Sequence, residues 1–96
     1  MGKTGIELIA EERKRQIEVE GFTSLHDELW LKGQLAIAAC CYARPENKDK
    51  ENPPYEFPWD REWWKPCPED RVRELVKAGA LIAAEIDRLQ KMEERL

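Results

Sequence analysis

The 96-residue chain predicts an all-α fold: three main helices forming a small bundle, with a long Pro/Trp-rich connector between helices two and three. Three observations lead there. No segment alternates apolar and polar residues as a half-buried strand does. Three segments, 4–20, 24–44 and 67–93, combine helix start signals with apolar residues at helical spacing. Between the second and third, residues 45–67 hold five of the six prolines and three of the four tryptophans. At this length the chain reads as one domain, 1–96. Its core is small enough that oligomerisation would help it.

The first helix is expected over 4–20. Thr4 followed by Glu7 is a capping-box pattern. Ile6, Ile9, Ala10 and Ile17 share one face, and Gly21 stops the helix as a glycine past the last turn commonly does. The second, 24–44, starts with Ser24 as cap and Asp27 and Glu28 in the positive first turn. After Lys32 it is apolar nearly all round, so other helices or a second subunit must cover it. Pro45 ends it.

The connector that follows has two halves. Residues 46–52 are charged and read as a solvated tip, whereas 55-YEFPWDREWWKP-66 is too aromatic to stay in water and should order against the helices. The third helix opens at 67-CPEDRVREL, with Pro68 suited to the first helical position and Glu69 and Asp70 to the positive end. Leu75, Ile82, Leu89 and Leu96 recur every seven residues, with Val72, Gly79 and Ile86 as a second row, which predicts a helix–helix packing stripe. Gly79 inside a helix costs about 1 kcal/mol relative to Ala, so a close helix contact is expected there.

Composition narrows the function. Sixteen Lys and Arg against twenty Asp and Glu give a net charge of −4, which argues against general nucleic-acid binding. The longest apolar run, 35–43, is too short to span a membrane, and the N-terminal residues lack a signal-peptide pattern. A soluble cytoplasmic protein is the expectation. Three cysteines argue against a disulfide framework, and Cys40 and Cys41 read as small buried apolar residues in a reducing compartment.

Four groups of residues could carry chemistry. His26, Asp27 and Glu28 are consecutive at a helix start. They point about 100° apart, so Asp27 and Glu28 would each need a partner from another helix. Arg73 and Lys77 are i,i+4 neighbours able to hold a phosphate, and Glu85 sits at the edge of the packing stripe where a carboxylate could face a dry cleft. Its structural alternative is a salt bridge to Arg88 or to an arginine of helix one. On helix one, most of the polar face reads as solvated, and Arg13 and Gln16 are best placed to reach inward. In the connector, Trp59, Trp63 and Trp64 can close the helical core, form a protein contact or stack on a flat ligand, with Lys65 nearby for phosphate. Trp63 and Trp64 are adjacent, so one should be buried and the other exposed.

The runs 9–43, 57-FPWDREWWKP-66 and 71-RVRELVKAGALIAAEIDRL-89 resemble a family of small tailed-phage and prophage proteins, which implies a phage context in the host cytoplasm. A weaker resemblance is to the all-α MazG-type nucleotide pyrophosphohydrolases, which hold Mg²⁺ between an EExxE and an ExxD motif. Here 11-EERKR-15 ends in Arg15 and 85-EIDR-88 carries Asp87 one position early. Those departures favour binding over catalysis. The expected function is therefore that of a phage accessory protein binding a nucleotide-like phosphorylated ligand or a host defence protein, with no cofactor. The alternative is a Mg²⁺-dependent pyrophosphohydrolase with Asp27, Glu28 and Glu85 as metal ligands. The apolar second helix and the small residues of the third lead to the expectation of a homo-oligomer.

Overall fold

The computed structural model describes residues 2–21, 33–46 and 48–94. The expected start of the second helix, with His26, Asp27 and Glu28, lies outside the described residues, as does Leu96. Three α-helices are described: α1 (Gly5–Glu18), α2 (Gln34–Ala43) and α3 (Arg71–Glu94), with a short 3₁₀ turn at Arg61–Trp63. Among the described residues there is no strand, and no helix is long and apolar enough to cross a membrane. The central element is α3, which packs against both α1 and α2.

The start of α1 is the expected capping box. The Glu7 amide donates to Thr4 Oγ1 at 3.3 Å, and the Thr4 amide donates to Glu7 Oε1 at 3.0 Å. Past its end, Gly21 takes φ +76°, a left-handed conformation that glycine adopts at little cost. The buried face of α1 is not the apolar row, however. Ile6, Ala10 and Ile17 are exposed, and the buried residues are Glu12 and Gln16. The reason lies in α3, which meets α1 through an arginine. Only Ile9 of the apolar row fits the seam, where it lies over Gly79. A Cβ added at Gly79 would come within 2.5 Å of Ile9 Cδ1, which is the close helix contact expected there.

In α2, Leu35, Ala38, Ala39, Cys41 and Tyr42 are buried, while Cys40 faces outward, contrary to the expectation for it. Arg44 is extended (φ −57°, ψ 138°) because the ring of Pro45 disfavours a helical residue before it. The carbonyls left open at the end of α2 are then taken by cations, which suit its negative pole. Arg71 donates to the carbonyls of Tyr42, Ala43 and Arg44, and Lys48 Nζ donates to that of Arg44 at 2.6 Å.

The charged half of the connector is solvated as expected at Glu46, Asp49, Lys50, Glu51 and Asn52, and one residue, Lys48, anchors it. Lys48 Nζ lies 3.1 Å from Glu74 Oε1, both side chains almost fully buried, and the Cys67 amide donates to Glu74 Oε2 at 3.1 Å. The Asp49 side chain accepts the Glu51 and Asn52 amides, closing a local turn. An isolated buried ammonium would be strongly disfavoured, and Glu74 with the α2 carbonyls offsets that cost.

The aromatic half orders as expected. Trp64 stacks on Tyr42 (centroids 4.9 Å apart, 29° between planes), Phe57 meets Tyr42, Trp59 and Trp64 edge-on, and Trp64 Nε1 donates to the Asp49 carbonyl at 2.7 Å. The apolar part of α2, Ala78, Leu81 and Ala84 of α3, and these rings form one core.

The third helix begins at Arg71, three residues later than Pro68 at the first helical position would place it. Pro68 occupies a turn closed by the Asp70 amide on the Cys67 carbonyl (2.8 Å), and Asp70 is the residue that caps α3, accepting the Arg73 amide at 3.1 Å. The heptad stripe is also displaced from its expected role. Val72, Leu75, Ile82, Ile86 and Leu89 are all exposed, and the inward face is instead formed by Glu74, Val76, Ala78, Ala80, Leu81, Ala84 and Arg88. Small residues let α2 and α1 approach that inward face, and its two charged members are paired.

Candidate functional site

A cleft opens where α1, the end of α2, α3 and the aromatic half of the connector meet. Its walls include Glu12, Arg15, Gln16 and Glu20 from the α1 side, Tyr42 from α2, Trp59, Trp63 and Lys65 from the connector, and Lys77 and Leu81 from α3. The free space is about 50 Å³, room for a water or two or for one small polar group. Anything larger must lie across the mouth, where Trp63 is 39% exposed.

The floor is set by Glu12. Arg15 holds it from the same helix with two parallel bonds, Nε to Oε1 at 2.9 Å and an Nη to Oε2 at 2.8 Å, and Arg73 reaches across from α3 to Oε1 at 2.9 Å. Burial pushes the Glu12 carboxyl up, but the bonds and charges of Arg15 and Arg73 outweigh it and hold the carboxyl below its usual range. Arg15 also reaches Glu20 at 3.1 Å, and Glu20 lies 4.0 Å from Lys65 Nζ. Three cations therefore line the cleft against two carboxylates, in a chain whose net charge is −4.

One wall group is left over. Gln16 is buried; its amide nitrogen donates to Glu12 Oε2 at 3.4 Å, and its Oε1 has no hydrogen-bond partner among the described residues. A buried acceptor without a donor costs about 1–3 kcal/mol.

The opposite wall is held by Tyr42. Its hydroxyl accepts the Lys65 amide at 3.0 Å and donates to the Trp63 carbonyl at 3.3 Å, which fixes the two connector residues flanking the mouth. Lys77 Nζ donates to the Lys65 carbonyl at 2.7 Å and lies 5.9 Å from the centre of the Tyr42 ring. Burial pushes the Tyr42 phenol up to about 12.

The candidates taken from the sequence divide accordingly. Gln16, Trp59, Trp63, Lys65 and Lys77 come together in the cleft. Arg73 does not join Lys77 there. It lies on a second depression of about 370 Å³ between α1 and the start of α3, occupied with Glu12, because an i,i+4 pair on a helix is split when a neighbouring helix captures one member. Arg13 pairs with Asp87 at 3.5 Å. Trp64 is a core residue, 4% exposed, with one face on Tyr42. That burial corrects its candidacy as a ligand-stacking ring, and it gives the adjacent tryptophans the opposite exposures expected of them.

Glu85 makes the structural bond foreseen for it, two contacts to the buried Arg88 at 2.6 and 3.2 Å. Its would-be metal partners Asp27 and Glu28, and His26, lie outside the described residues. Among the described residues no three His, Cys, Asp or Glu side chains are grouped to hold a metal.

Glu12, Arg15 and Glu20 belong to the helix-one polar face that was expected to be mostly solvated, and Tyr42 was not a candidate, yet all four line the cleft. Glu12 and Gln16 lie three and seven residues after Ile9, the same helical face, so the contact of Ile9 with α3 was the available signal. Tyr42 is the one hydroxyl in the otherwise apolar second half of its helix. Comparisons with protein-family models, with curated proteins and with solved structures return no match to the chain.

Proposed function

We propose that the protein binds a small phosphorylated, nucleotide-like ligand at this cleft. The observation that carries the proposal is Gln16 Oε1, without a hydrogen-bond partner among the described residues, in a cleft whose charged lining holds three cations against two carboxylates. A ligand that presents a hydroxyl or amino donor to Gln16 would satisfy a group that is costly to leave bare. Its negative charge would be met by Lys65 and Lys77, and its flat part would lie over Trp63 at the mouth. The cleft admits only a phosphate- or hydroxyl-sized piece, so a base would stack outside. In the phage setting implied by the resemblance, such a protein would sequester a host signalling nucleotide in the host cytoplasm.

The test is thermal unfolding against nucleoside mono-, di- and triphosphates, cyclic nucleotides and cyclic dinucleotides, each with and without Mg²⁺ and with product analysis. A ligand at a hundred times its dissociation constant stabilises by about 2.7 kcal/mol, which raises the midpoint by on the order of 10 °C in a domain this size. Gln16→Leu should leave the ligand-free protein as stable or more so, because the bare acceptor is gone, and should abolish the shift; Trp63→Ala should weaken it. Conversion of a triphosphate to its monophosphate in the Mg²⁺ arm would replace sequestration by the pyrophosphohydrolase reading, with Asp27, Glu28 and Glu85 as the metal ligands to mutate. No shift with any compound would sink the nucleotide reading and leave a host protein as the partner to seek.

A further inference from the structure

The polar groups of the cleft are sorted by depth. Glu12 and Gln16 are almost fully buried, whereas Lys65 stands at the rim on a side chain that is 59% exposed. Each Glu12 oxygen already accepts twice: Oε1 from Arg15 and Arg73, Oε2 from Arg15 and the Gln16 amide nitrogen. Glu12 has little left to offer a ligand, but it orients Gln16. A side-chain amide can turn over and exchange its oxygen and nitrogen. Here that turn would set Gln16 Oε1 against a carboxylate oxygen, acceptor to acceptor. With Glu12 held ionised between two guanidinium groups, the Gln16 nitrogen keeps to Glu12 and Oε1 is the group left for a ligand. Glu20 adds to the acceptor character: its Oε1 takes Arg15, while Oε2 lies 4.0 Å from Lys65 Nζ, too long for a hydrogen bond.

A phosphate is a poor match to such an interior. Its oxygens are acceptors, and they would meet the Gln16 oxygen and two carboxylates. A hydroxyl is a good match, because it donates and fits about 50 Å³. We infer, on the nucleotide reading of this cleft, that the ligand is a ribonucleoside phosphate bound sugar-first: a ribose hydroxyl donates to Gln16 Oε1, the base lies over Trp63 and the phosphate stays outside on Lys65. Glu12 is a positioning residue that acts through Gln16. An exocyclic amine of the base offers the same donor chemistry, but a planar base is broader than the cleft admits. In the absence of ligand a water can serve Gln16; a hydroxyl reproduces its bond, and a sugar without hydroxyls does not.

Calorimetric titration of the full wild-type chain with a matched set of compounds tests this without touching the fold. The set is adenosine and guanosine 5′-triphosphates, their 2′,3′-dideoxy forms, and the 5′-triphosphates of purine riboside and inosine, which lack the exocyclic amine. The dideoxy forms should bind at least about tenfold more weakly than the ribose forms, the low end of what an unmet buried acceptor costs. The amine-lacking forms should bind as their parents do. In Glu12→Gln, with folding checked by circular dichroism, the ratio of ribose to dideoxy affinity should fall toward one, because the Gln16 amide can then turn either way. A purely structural loss would weaken both forms alike and leave the ratio unchanged, which would overturn the role of Glu12. Equal affinity of ribose and dideoxy forms for the wild type overturns sugar-first binding and leaves the nucleotide reading standing. A loss confined to the amine-lacking forms puts the base edge in the cleft and overturns it as well. No binding by any compound removes the nucleotide reading itself, and sugar-first binding with it.

Discussion

Replacing each of the two adjacent tryptophans by alanine should separate the roles of the connector. Trp64 is 4% exposed, stacks on Tyr42 at 4.9 Å, meets Phe57 edge-on and donates to the Asp49 carbonyl. Truncating a buried Trp to Ala typically costs about 3–5 kcal/mol. That sum already contains the ring contacts and the loss of the donor to a carbonyl. A chain of this length has a total stability of roughly 5–14 kcal/mol, so Trp64→Ala removes a large share of it and lowers the midpoint by at least about 12 °C.

Trp63 is 39% exposed, and the contact it makes to Tyr42 uses its backbone carbonyl, which alanine keeps. Trp63→Ala should therefore cost only about 1–2 kcal/mol, for the half-buried part of the ring. Urea unfolding followed by far-ultraviolet circular dichroism measures both, with the slope of each transition checked against wild type so that a change in midpoint is a change in stability. Equal, large losses in the two variants would refute the assignment of Trp63 to the mouth of the cleft, because both rings would then be core.

Two further outcomes are expected. Lys48→Met strands the buried Glu74 with Arg71 and the Cys67 amide and should cost about 3 kcal/mol, while Lys48→Met/Glu74→Leu should lose clearly less than the sum of the two single changes; a double-mutant cycle in urea reads this directly, and strict additivity would count against the pair as an anchor. The Tyr42 phenol is raised to about 12 when folded and titrates near 10 when unfolded, so its contribution is full below about pH 10 and is lost as pH rises from 10 through 12, amounting to roughly 2–3 kcal/mol. Stability measured from pH 8 to 12 should fall less steeply in Tyr42→Phe than in wild type, and parallel curves would contradict a buried, protonated hydroxyl.

What could be read from the residues in order was whatever depends on neighbours in the chain. The Thr4 and Glu7 cap, Gly21 after α1, Pro45 after α2 and the absence of strand alternation are all local, and each acts within a few residues of backbone. The close contact at Gly79 was also legible, since a glycine inside a helix is costly unless another element needs the space. The opposite fates of Trp63 and Trp64 followed from adjacency alone.

What only the tertiary structure decided was which face of each helix turned inward. For α1 the apolar row lost to Glu12 and Gln16, because Arg73 of α3 supplies a charge that makes burying a carboxylate tolerable. For α3 the heptad row lost to a face of small residues that admits α2 and α1 closely. The Lys48 and Glu74 pair, 26 residues apart, tied one residue of an otherwise exposed charged tip to the core. The cleft exists because of those same choices. Periodicity says that a helix has an apolar side, but a buried charge is settled by a partner that can be far away in sequence, and burial follows the partner rather than the period.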